Sequence, residues 1–200
     1  MTMHLKSCID SELNSMPKAR ATFVEPMLLL PTETLPAGAE WIYELKLDGY
    51  RALGIKAQTQ IQLRSRNDND FRSRYPAIVE ALASLPDETV IDGEVAAVDE
   101  SGRPSFNILQ NCGLSKALIL YYIFDVLVLG VRNLMGMPLS ARRDMLERRI
   151  LPTLGEPIRH SPELEASLSD LAASVRAQGL EGLVAKRRDR RYDPPSSEDL

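Results

Sequence analysis

Alternation of apolar and polar residues predicts the first strands of the chain. Residues 40–48 carry apolar side chains on one face and the charged residues Glu44, Lys46 and Asp48 on the other, which predicts a half-buried strand with a charged face. Two shorter β-rich runs follow Gly49 with tight connections between them. The sequence therefore predicts three short strands in antiparallel pairing.

Longer apolar runs and helical periods predict the rest of the domain. Residues 88–99 and 118–129 are β-rich, and the second run is so apolar that it predicts a central strand. Helical spacing predicts three helices, within residues 71–85 with a start near Pro76, from an N-cap at Ser140 to about Ile150, and from residues 161–163 to Gly179. A last strand, GLVAK, follows at once. Because strands come in runs without regular βαβα alternation, the predicted class is α+β with mostly antiparallel sheets.

Composition and charge indicate one globular domain without a general attraction for phosphate. The chain has 200 residues, 44% of them hydrophobic, and a formal net charge of −4, so any nucleic-acid contact needs a local basic patch. Residues 1–21 show no period and predict a tail or linker before a single domain over residues 22–200. Cys8 and Cys112 belong to no metal-binding or disulfide pattern, and the N-terminus lacks a secretion signal. We expect a cytoplasmic protein.

Charged residues stand at the ends of several apolar strands. The first segment, Lys46-Leu47-Asp48-Gly49-Tyr50-Arg51, is by itself equally typical of an exposed hairpin in which Asp-Gly supplies the positive φ angles. Four later segments repeat the arrangement, namely Ser65-Arg66-Asn67, Asp92-Gly93-Glu94, Phe124-Asp125 and Glu181 to Lys186. Because five such segments in order are hard to attribute to chance, we interpret them as functional.

This ordered set resembles the covalent nucleotidyltransferase superfamily of ATP-dependent DNA ligases and mRNA capping enzymes. The segments EWIYELKLDGYRA, LRSRN, IDGEV, YYIFDVL and EGLVAKRRDRRY are most similar to the ligase domain of bacterial ligase D, which acts in non-homologous end joining. The resemblance runs from about Phe23 to the C-terminus. It implies an ATP-grasp-like nucleotidyltransferase domain and an ATP-dependent DNA ligase activity in DNA repair and recombination.

The resemblance also implies roles for individual residues. Lys46 matches the nucleophile that attacks the α-phosphate of ATP and holds AMP as a phosphoramidate, which a lysine amine can do. Glu44 matches the acceptor of the adenine amino group, and Arg51 and Arg66 match contacts to ribose or phosphate, with plain exposed charges as the alternative. Phe124 matches the ring that stacks on adenine, although a core position is equally open to such an aromatic.

Two carboxylates match metal or ribose contacts in the same family. Glu94 matches a residue that binds ribose hydroxyls or metal, and Glu181 matches one that holds a divalent cation, Mg²⁺ or Mn²⁺, near the α-phosphate. An unperturbed lysine, with a pKa of about 10.4, offers little free amine at neutral pH. Because Glu44 and Asp48 would raise the pKa of Lys46 further, we expect bound Mg²⁺ and nearby guanidinium charge to reverse the local field.

The C-terminal strand raises two questions. Strict alternation puts Glu181 and Lys186 on opposite faces, so Lys186 matches a nucleotide contact only if the strand bends. The run from Lys186 to Arg191 has five basic residues in six and predicts either a DNA-phosphate patch or a solvated charged end. His4 and His160 match nothing in the family pattern, and we expect both at the surface.

Ligases that resemble this chain continue into a strand with two lysines and then into an OB-fold domain, and we expect both to be absent here. Without those two lysines, whose positive charge would stabilise the α-phosphate in the transition state, we expect adenylation to be slower by about a hundredfold or more. A second hypothesis is therefore a non-catalytic remnant or split subunit that needs a separate polypeptide for the OB-fold half. A third, an RNA-directed guanylyltransferase, is disfavoured by Glu44 and the ligase D-like segments. The expected partner is DNA with nicks or double-strand breaks, and no membrane.

Overall fold

The computed structural model describes residues 16–110 and 117–194, which form two antiparallel-rich sheets with short flanking helices. The strands are β1 (Trp41–Lys46), β2 (Tyr50–Ala57), β3 (Gln60–Ser65), β4 (Thr89–Val98), β5 (Leu118–Leu129), β6 (Arg132–Asn133), β7 (Ile158–His160) and β8 (Gly182–Arg187). The helices are α1 (Pro76–Leu82), α2 (Phe106–Gln110), α3 (Leu139–Met145) and α4 (Leu168–Gln178). The predicted α+β class is confirmed.

The larger sheet has the order β3-β2-β4-β5-β6, and β7 pairs with β5 in the one parallel contact among the described strands. The two long strands predicted over residues 88–99 and 118–129 are β4 and β5, and β5 contacts three other strands, as a central strand should. The predicted antiparallel pairing of β2 with β3 is also confirmed.

Strand β1 does not join this sheet, which corrects the prediction of three consecutive paired strands. Both edges of β2 are already occupied, by β3 and β4. Instead β1 pairs antiparallel with β8 in a sheet of two strands, with Lys46 opposite Gly182 and Ile42 opposite Lys186. The first and the last strand of the domain are thereby paired, and this brings together the segments around Lys46 and Lys186 that sequence analysis identifies.

The predicted helices exist, but one of them begins later than predicted. Helix α1 starts at Pro76, as the position of this proline requires, because a residue before proline is disfavoured in helical geometry and Tyr75 has φ −130°. Helix α4 starts at Leu168, where the Ser167 hydroxyl accepts a hydrogen bond from the Asp170 N–H, and ends at Gly179 as predicted. The N–H groups of Ser161 and Leu164 instead bond to β5 and β1.

The second predicted helix begins two residues earlier than expected. Helix α3 starts at Leu139 with Pro138 at the N-cap, so Ser140 does not cap it. The N–H groups of Leu139 and Ser140 donate to the carbonyls of Arg190 and Arg188, which fixes α3 against the chain that follows β8. A π-helical turn over Leu146–Ile150 continues the helix to the predicted end.

Apolar residues are buried on both faces of the larger sheet. One face packs against α1 and the α3 segment through residues that include Leu63, Ile78, Leu82, Ile91, Tyr121 and Ile123. The other face buries a smaller cluster of Leu53, Ile55, Val90, Leu127, Val128 and Tyr192. Since side chains alternate along a strand, Arg51, Asp92 and Glu94 lie on this second face, beyond the end of its apolar cluster. No helix in the described ranges is long and apolar enough to cross a membrane.

Candidate active site

Lys46 is the last residue of β1, and its side chain remains accessible, with 44% of its surface exposed. Its ammonium forms an ion pair with the Glu181 carboxylate. Opposite Lys46 in the β1–β8 pair is Gly182, which has no side chain to crowd the amine. The structure therefore presents an accessible lysine with a carboxylate beside it.

Glu44, two residues earlier, is buried with 2% of its surface exposed. Its Oε1 accepts a hydrogen bond from Arg143 Nη1 at 2.6 Å, and its Oε2 accepts one from Lys186 Nζ at 2.8 Å. A buried carboxylate is stable only with such partners. The charged face of β1 is thus the face turned toward the domain interior.

Arg143 is a site residue that sequence reasoning missed. It is 4% exposed, and its guanidinium also donates to the carbonyl of Ser161 at 2.9 Å. A signal was available in the sequence, because Arg142 and Arg143 fall three and four positions after Leu139, on the same helical stripe as Leu146. Two arginines on a core-facing stripe indicate buried carboxylate partners.

Lys186 lies on the same side of the β1–β8 pair as Glu44, which resolves the alternation problem. Glu181 precedes the first residue of β8, so strand alternation does not fix its direction relative to Lys186. The Lys186 ammonium lies 3.9 Å from the centre of the Phe124 ring and also donates a hydrogen bond to Glu44. Burial lowers the pKa of Lys186, and the Glu44 charge opposes that shift.

Phe124 faces this site because of a β-bulge. Asp92 is opposite Asp125 and Gly93 is opposite Ile123, so Phe124 is an extra residue on β5. The bulge also needs Gly93, because a Cβ there would lie 2.5 Å from the Tyr122 carbonyl oxygen. Phe124 is 7% exposed, and its ring contacts the cations of Arg51 and Lys186. It is therefore buried, but among charged side chains of the site and not in the apolar core.

Arg51 is held by a buried carboxylate that sequence reasoning did not assign. Its Nε and Nη2 donate to the two oxygens of Asp92 at 2.5 and 2.7 Å, and Asp92 is fully buried. Burial alone would lower the pKa of Arg51, but the Asp92 charge and hydrogen bonds raise it above its usual value. The guanidinium lies 4.6 Å from the Phe124 ring centre. Arg51 is therefore a fixed cation within the site.

Glu94 lies opposite Arg51 in the β2–β4 pair. Burial raises the pKa of Glu94 to about 7, with Arg51, Lys46 and Arg66 lowering it and Asp92 raising it. Arg66 itself is exposed just after β3, and its N–H donates to the Arg51 carbonyl at 3.1 Å. Three predicted site cations, Arg51, Lys46 and Arg66, thus lie near enough to Glu94 for their charges to act on it.

Asp48 and Gly49 have structural roles that the hairpin alternative does not describe. A Cβ on Gly49 would lie 2.2 Å from the Val95 carbonyl oxygen, so this glycine is required by close backbone approach and not by a positive φ angle. Asp48 Oδ2 accepts the N–H of Phe106 at 3.0 Å, at the start of α2. The motif therefore fixes the end of β1 against β4 and α2.

The predicted basic patch is largely paired. Arg187 bonds to Asp189 at 2.6 Å, Arg190 bonds to Asp193 at 3.2 Å, and Arg188 bonds to Glu163. Lys186 turns inward to Glu44, as described above. The run is thus mainly a solvated, locally neutralised surface beside the buried site.

The remaining predicted features contribute little to the site. His160, predicted at the surface, is partly buried with Nε2 3.4 Å from Arg143 Nη2, and burial lowers its pKa. His4, Cys8 and Cys112 lie outside the described residues.

Within the described ranges no three His, Cys, Asp or Glu side chains converge as metal ligands. Mg²⁺ needs only one or two protein carboxylates when phosphates supply other oxygens, and Glu181, paired with Lys46, is a carboxylate of the type required.

Comparison with known proteins identifies the family. The family model described as the ATP dependent DNA ligase domain matches residues 26–199. The chain belongs to this family. The multifunctional non-homologous end joining protein LigD of Pseudomonas aeruginosa is 37% identical over 181 residues, which are 88% of this chain and 21% of that protein. LigD of Mycobacterium tuberculosis H37Rv is 37% identical over 172 residues, or 83% of this chain and 22% of that protein.

Solved ligase structures have the same fold. Mycobacterial DNA ligase D complexed with ATP and MES matches 86% of this chain and 56% of that chain, with TM-score 0.73 and 34% identity. The ligase domain from M. tuberculosis LigD matches 77% of this chain and 50% of that chain, with TM-score 0.66 and 36% identity. The chain spans about a fifth of the length of the LigD proteins it matches. The predicted nucleotidyltransferase fold of ligase D is confirmed.

Proposed function

We propose that this ligase-family chain is an adenylyltransferase in which Lys46 takes AMP from ATP for the joining of DNA strands. The observation that carries the proposal is the β1–β8 pairing, which brings Lys46, Glu181, Glu44 and Lys186 to one side of the domain. An accessible amine beside carboxylates, with a buried acceptor and an aromatic ring nearby, suits the transfer of a nucleotide to lysine.

The covalent step forms an N–P bond between Lys46 Nζ and the α-phosphorus, while the bond from that phosphorus to the pyrophosphate oxygen breaks. The Lys46 ammonium must first lose a proton to water, and its ion pair with Glu181 opposes that loss until the Glu181 carboxylate turns to a metal ion. Mg²⁺ held by Glu181 and Glu94 would neutralise phosphate charge and favour the leaving group. Arg51, fixed by Asp92, supplies preorganised positive charge for ribose or phosphate oxygens, and Arg66 supplies a second cation at the rim.

The adenine base would use Glu44 and Phe124. Both oxygens of Glu44 accept hydrogen bonds from cations, and a hydrogen-bond acceptor there favours the adenine amino group over the guanine carbonyl. The Lys186 ammonium contacts both of these side chains, because it donates a hydrogen bond to Glu44 and lies over the Phe124 ring. We infer that the Lys186 ammonium leaves the ring when the base stacks there, and becomes available to the phosphates.

The AMP would then pass to a DNA 5′-phosphate and be displaced by a 3′-hydroxyl. Relatives that match this chain are described as non-homologous end joining proteins, which supports broken DNA as the substrate. The Arg187–Arg191 run keeps one positive charge in excess of its partners Asp189, Asp193 and Glu163, and we infer that it adds weak, salt-sensitive contacts to DNA phosphates.

Intact-mass measurement after incubation with ATP and Mg²⁺ tests the proposal. The wild-type chain should gain one AMP, whereas Lys46→Ala should gain none. Lys18→Ala, which removes an exposed lysine outside the site, is the matched control and should be adenylated like the wild type. GTP in place of ATP should give no adduct. An adduct that persists in Lys46→Ala, or a preference for GTP, would contradict the proposal; an adduct seen only after adding a separate OB-fold fragment would favour a split enzyme.

A further inference from the structure

Tyr192 contacts the buried anchor of Arg51 from the C-terminal end of the described chain. Its hydroxyl donates a hydrogen bond to Asp92 Oδ2 at 2.8 Å and accepts one from the Met27 N–H at 3.3 Å. Because the Met27 N–H occupies the acceptor side of the hydroxyl, the proton of the hydroxyl is directed at Asp92. Tyr192 is 5% exposed, and burial, followed by the Asp92 charge, raises the pKa of its hydroxyl, which therefore stays a donor at neutral pH.

Asp92 thus joins Tyr192 to Arg51. It is fully buried, and its two oxygens accept the two Arg51 hydrogen bonds together with the Tyr192 bond on Oδ2. Removing one donor from a buried carboxylate leaves part of its charge uncompensated and allows it to rotate or admit water. The direction of the Arg51 guanidinium, which lies over Phe124, depends on the direction of that carboxylate.

The ring of Tyr192 is fixed independently of its hydroxyl. It packs in the apolar cluster with Leu53, Val90 and Leu127, and the Arg142 guanidinium lies 5.6 Å from its centre. Arg142 is itself held by the buried Asp125 through two hydrogen bonds of 2.8 and 2.7 Å. Replacing Tyr192 with phenylalanine should therefore keep the packing and remove only the hydroxyl.

We propose that Tyr192 is a positioning residue that orients Arg51 for nucleotide binding through Asp92. The inference rests on the proposed function, because it assumes that Arg51 contacts the nucleotide. It assigns to the segment after β8 a second task besides fixing the start of α3, which is to align a cation on β2. The Met27 hydrogen bond extends the same alignment to the segment that precedes β1.

A double-mutant cycle on ATP binding tests this inference. Calorimetric dissociation constants for ATP should be measured without Mg²⁺, so that no covalent adduct forms, for wild type, Tyr192→Phe, Arg51→Lys and the double variant. Lysine at position 51 keeps the charge but loses the forked contact with Asp92. Tyr192→Phe should weaken ATP binding about tenfold, the size expected for losing one hydrogen bond to a charged group. In the Arg51→Lys background the same change should weaken binding less than about twofold.

Controls separate positioning from folding. Tyr43→Phe removes a tyrosine hydrogen bond of 2.8 Å to the Pro36 carbonyl and should leave ATP binding unchanged. The rate of adduct formation at saturating ATP should be nearly the same in wild type and Tyr192→Phe, since Tyr192 acts on binding. Thermal denaturation of each variant checks that it is folded.

Two results would overturn the inference. Equal weakening by Tyr192→Phe in both Arg51 backgrounds would show that the hydroxyl acts on the fold in general, and unchanged binding in Tyr192→Phe would show that it does not act on the site. Either would leave the proposed function standing if the wild type binds ATP. A wild-type chain that binds no ATP would instead contradict the proposed function and this inference with it.

Discussion

Two regions of this domain are rich in ion pairs, and they differ in burial. In the interior, Glu44 and Asp92 are 2% and 0% exposed, and each is shared among several donors. In the basic run that begins at the end of β8, Arg187 and Asp189 pair at 2.6 Å, but their side chains are 52% and 64% exposed. The same residue types therefore form a preorganised site in one region and a screened surface in the other.

The comparison shows which charges carry information about function. A buried carboxylate loses its hydration and must be matched by protein donors, so its surroundings are fixed. An exposed pair gives up little hydration and contributes about 0–1 kcal/mol. Five basic residues in six are conspicuous in sequence, yet the two arginines of α3, hidden among apolar residues, contribute more to the site.

The largest difference between the two regions is expected for the loss of a buried charge. Glu44→Gln leaves Arg143 and Lys186 buried without their counter-charge, and breaking a buried pair in this way costs about 3–5 kcal/mol. Urea denaturation at neutral pH should show that loss in the free energy of unfolding. A loss below about 1 kcal/mol would mean that Glu44 is not the charge that holds these two cations.

A smaller effect, with a defined pH dependence, is expected at the rim of the buried region. Burial raises the pKa of Glu94 from 4.5 to about 7, so between these values the folded chain binds more protons than the unfolded chain. Stability from this group is therefore complete below about pH 4.5 and is lost as pH rises through about 7.

Glu94→Gln should remove that loss. The variant should match the wild type in unfolding free energy near pH 4 and exceed it by roughly 1–3 kcal/mol at pH 8. Denaturation curves of both chains across this range provide the measurement. A difference that does not change with pH would show that Glu94 ionises freely in the folded protein.

The smallest effect is expected in the exposed run. Asp189→Asn removes the partner of Arg187 at the surface and should change the free energy of unfolding by less than about 1 kcal/mol. High salt should make this change smaller still, because it screens exposed charges. Asp189→Asn is the matched counterpart of Glu44→Gln, because each change neutralises one carboxylate that pairs with arginine. Equal losses in the two variants would remove the distinction between the regions.

Local patterns predicted most of the fold. The long strands β4 and β5, the β2–β3 hairpin and the end of α4 at Gly179 follow from periodicity and turn residues. The partner of β1 does not, because pairing between residues 41–46 and 182–187 depends on which sheet edges the rest of the chain leaves open. Strand alternation also misjudged Lys186, because Glu181 lies just outside β8.

The residues with chemical motifs were found in the sequence, whereas their partners were not. Lys46, Glu44, Glu94 and Arg51 end or line strands in an order that matches a family. Arg143 binds Glu44 from 99 positions away, Asp92 binds Arg51 from 41 positions away, and Tyr192 binds Asp92 from 100 positions away. Such contacts are set by tertiary packing, although the arginines on the apolar stripe of α3 were a usable signal.

The central claim is that the accessible amine beside the buried charge network is the nucleophile. It is tested most directly by proteolytic mapping of the chain after incubation with ATP and Mg²⁺. The account predicts one AMP on the peptide that contains Lys46, in wild type and in Asp189→Asn alike. AMP on any other lysine, including Lys186, while Lys46 stays unmodified would contradict the account.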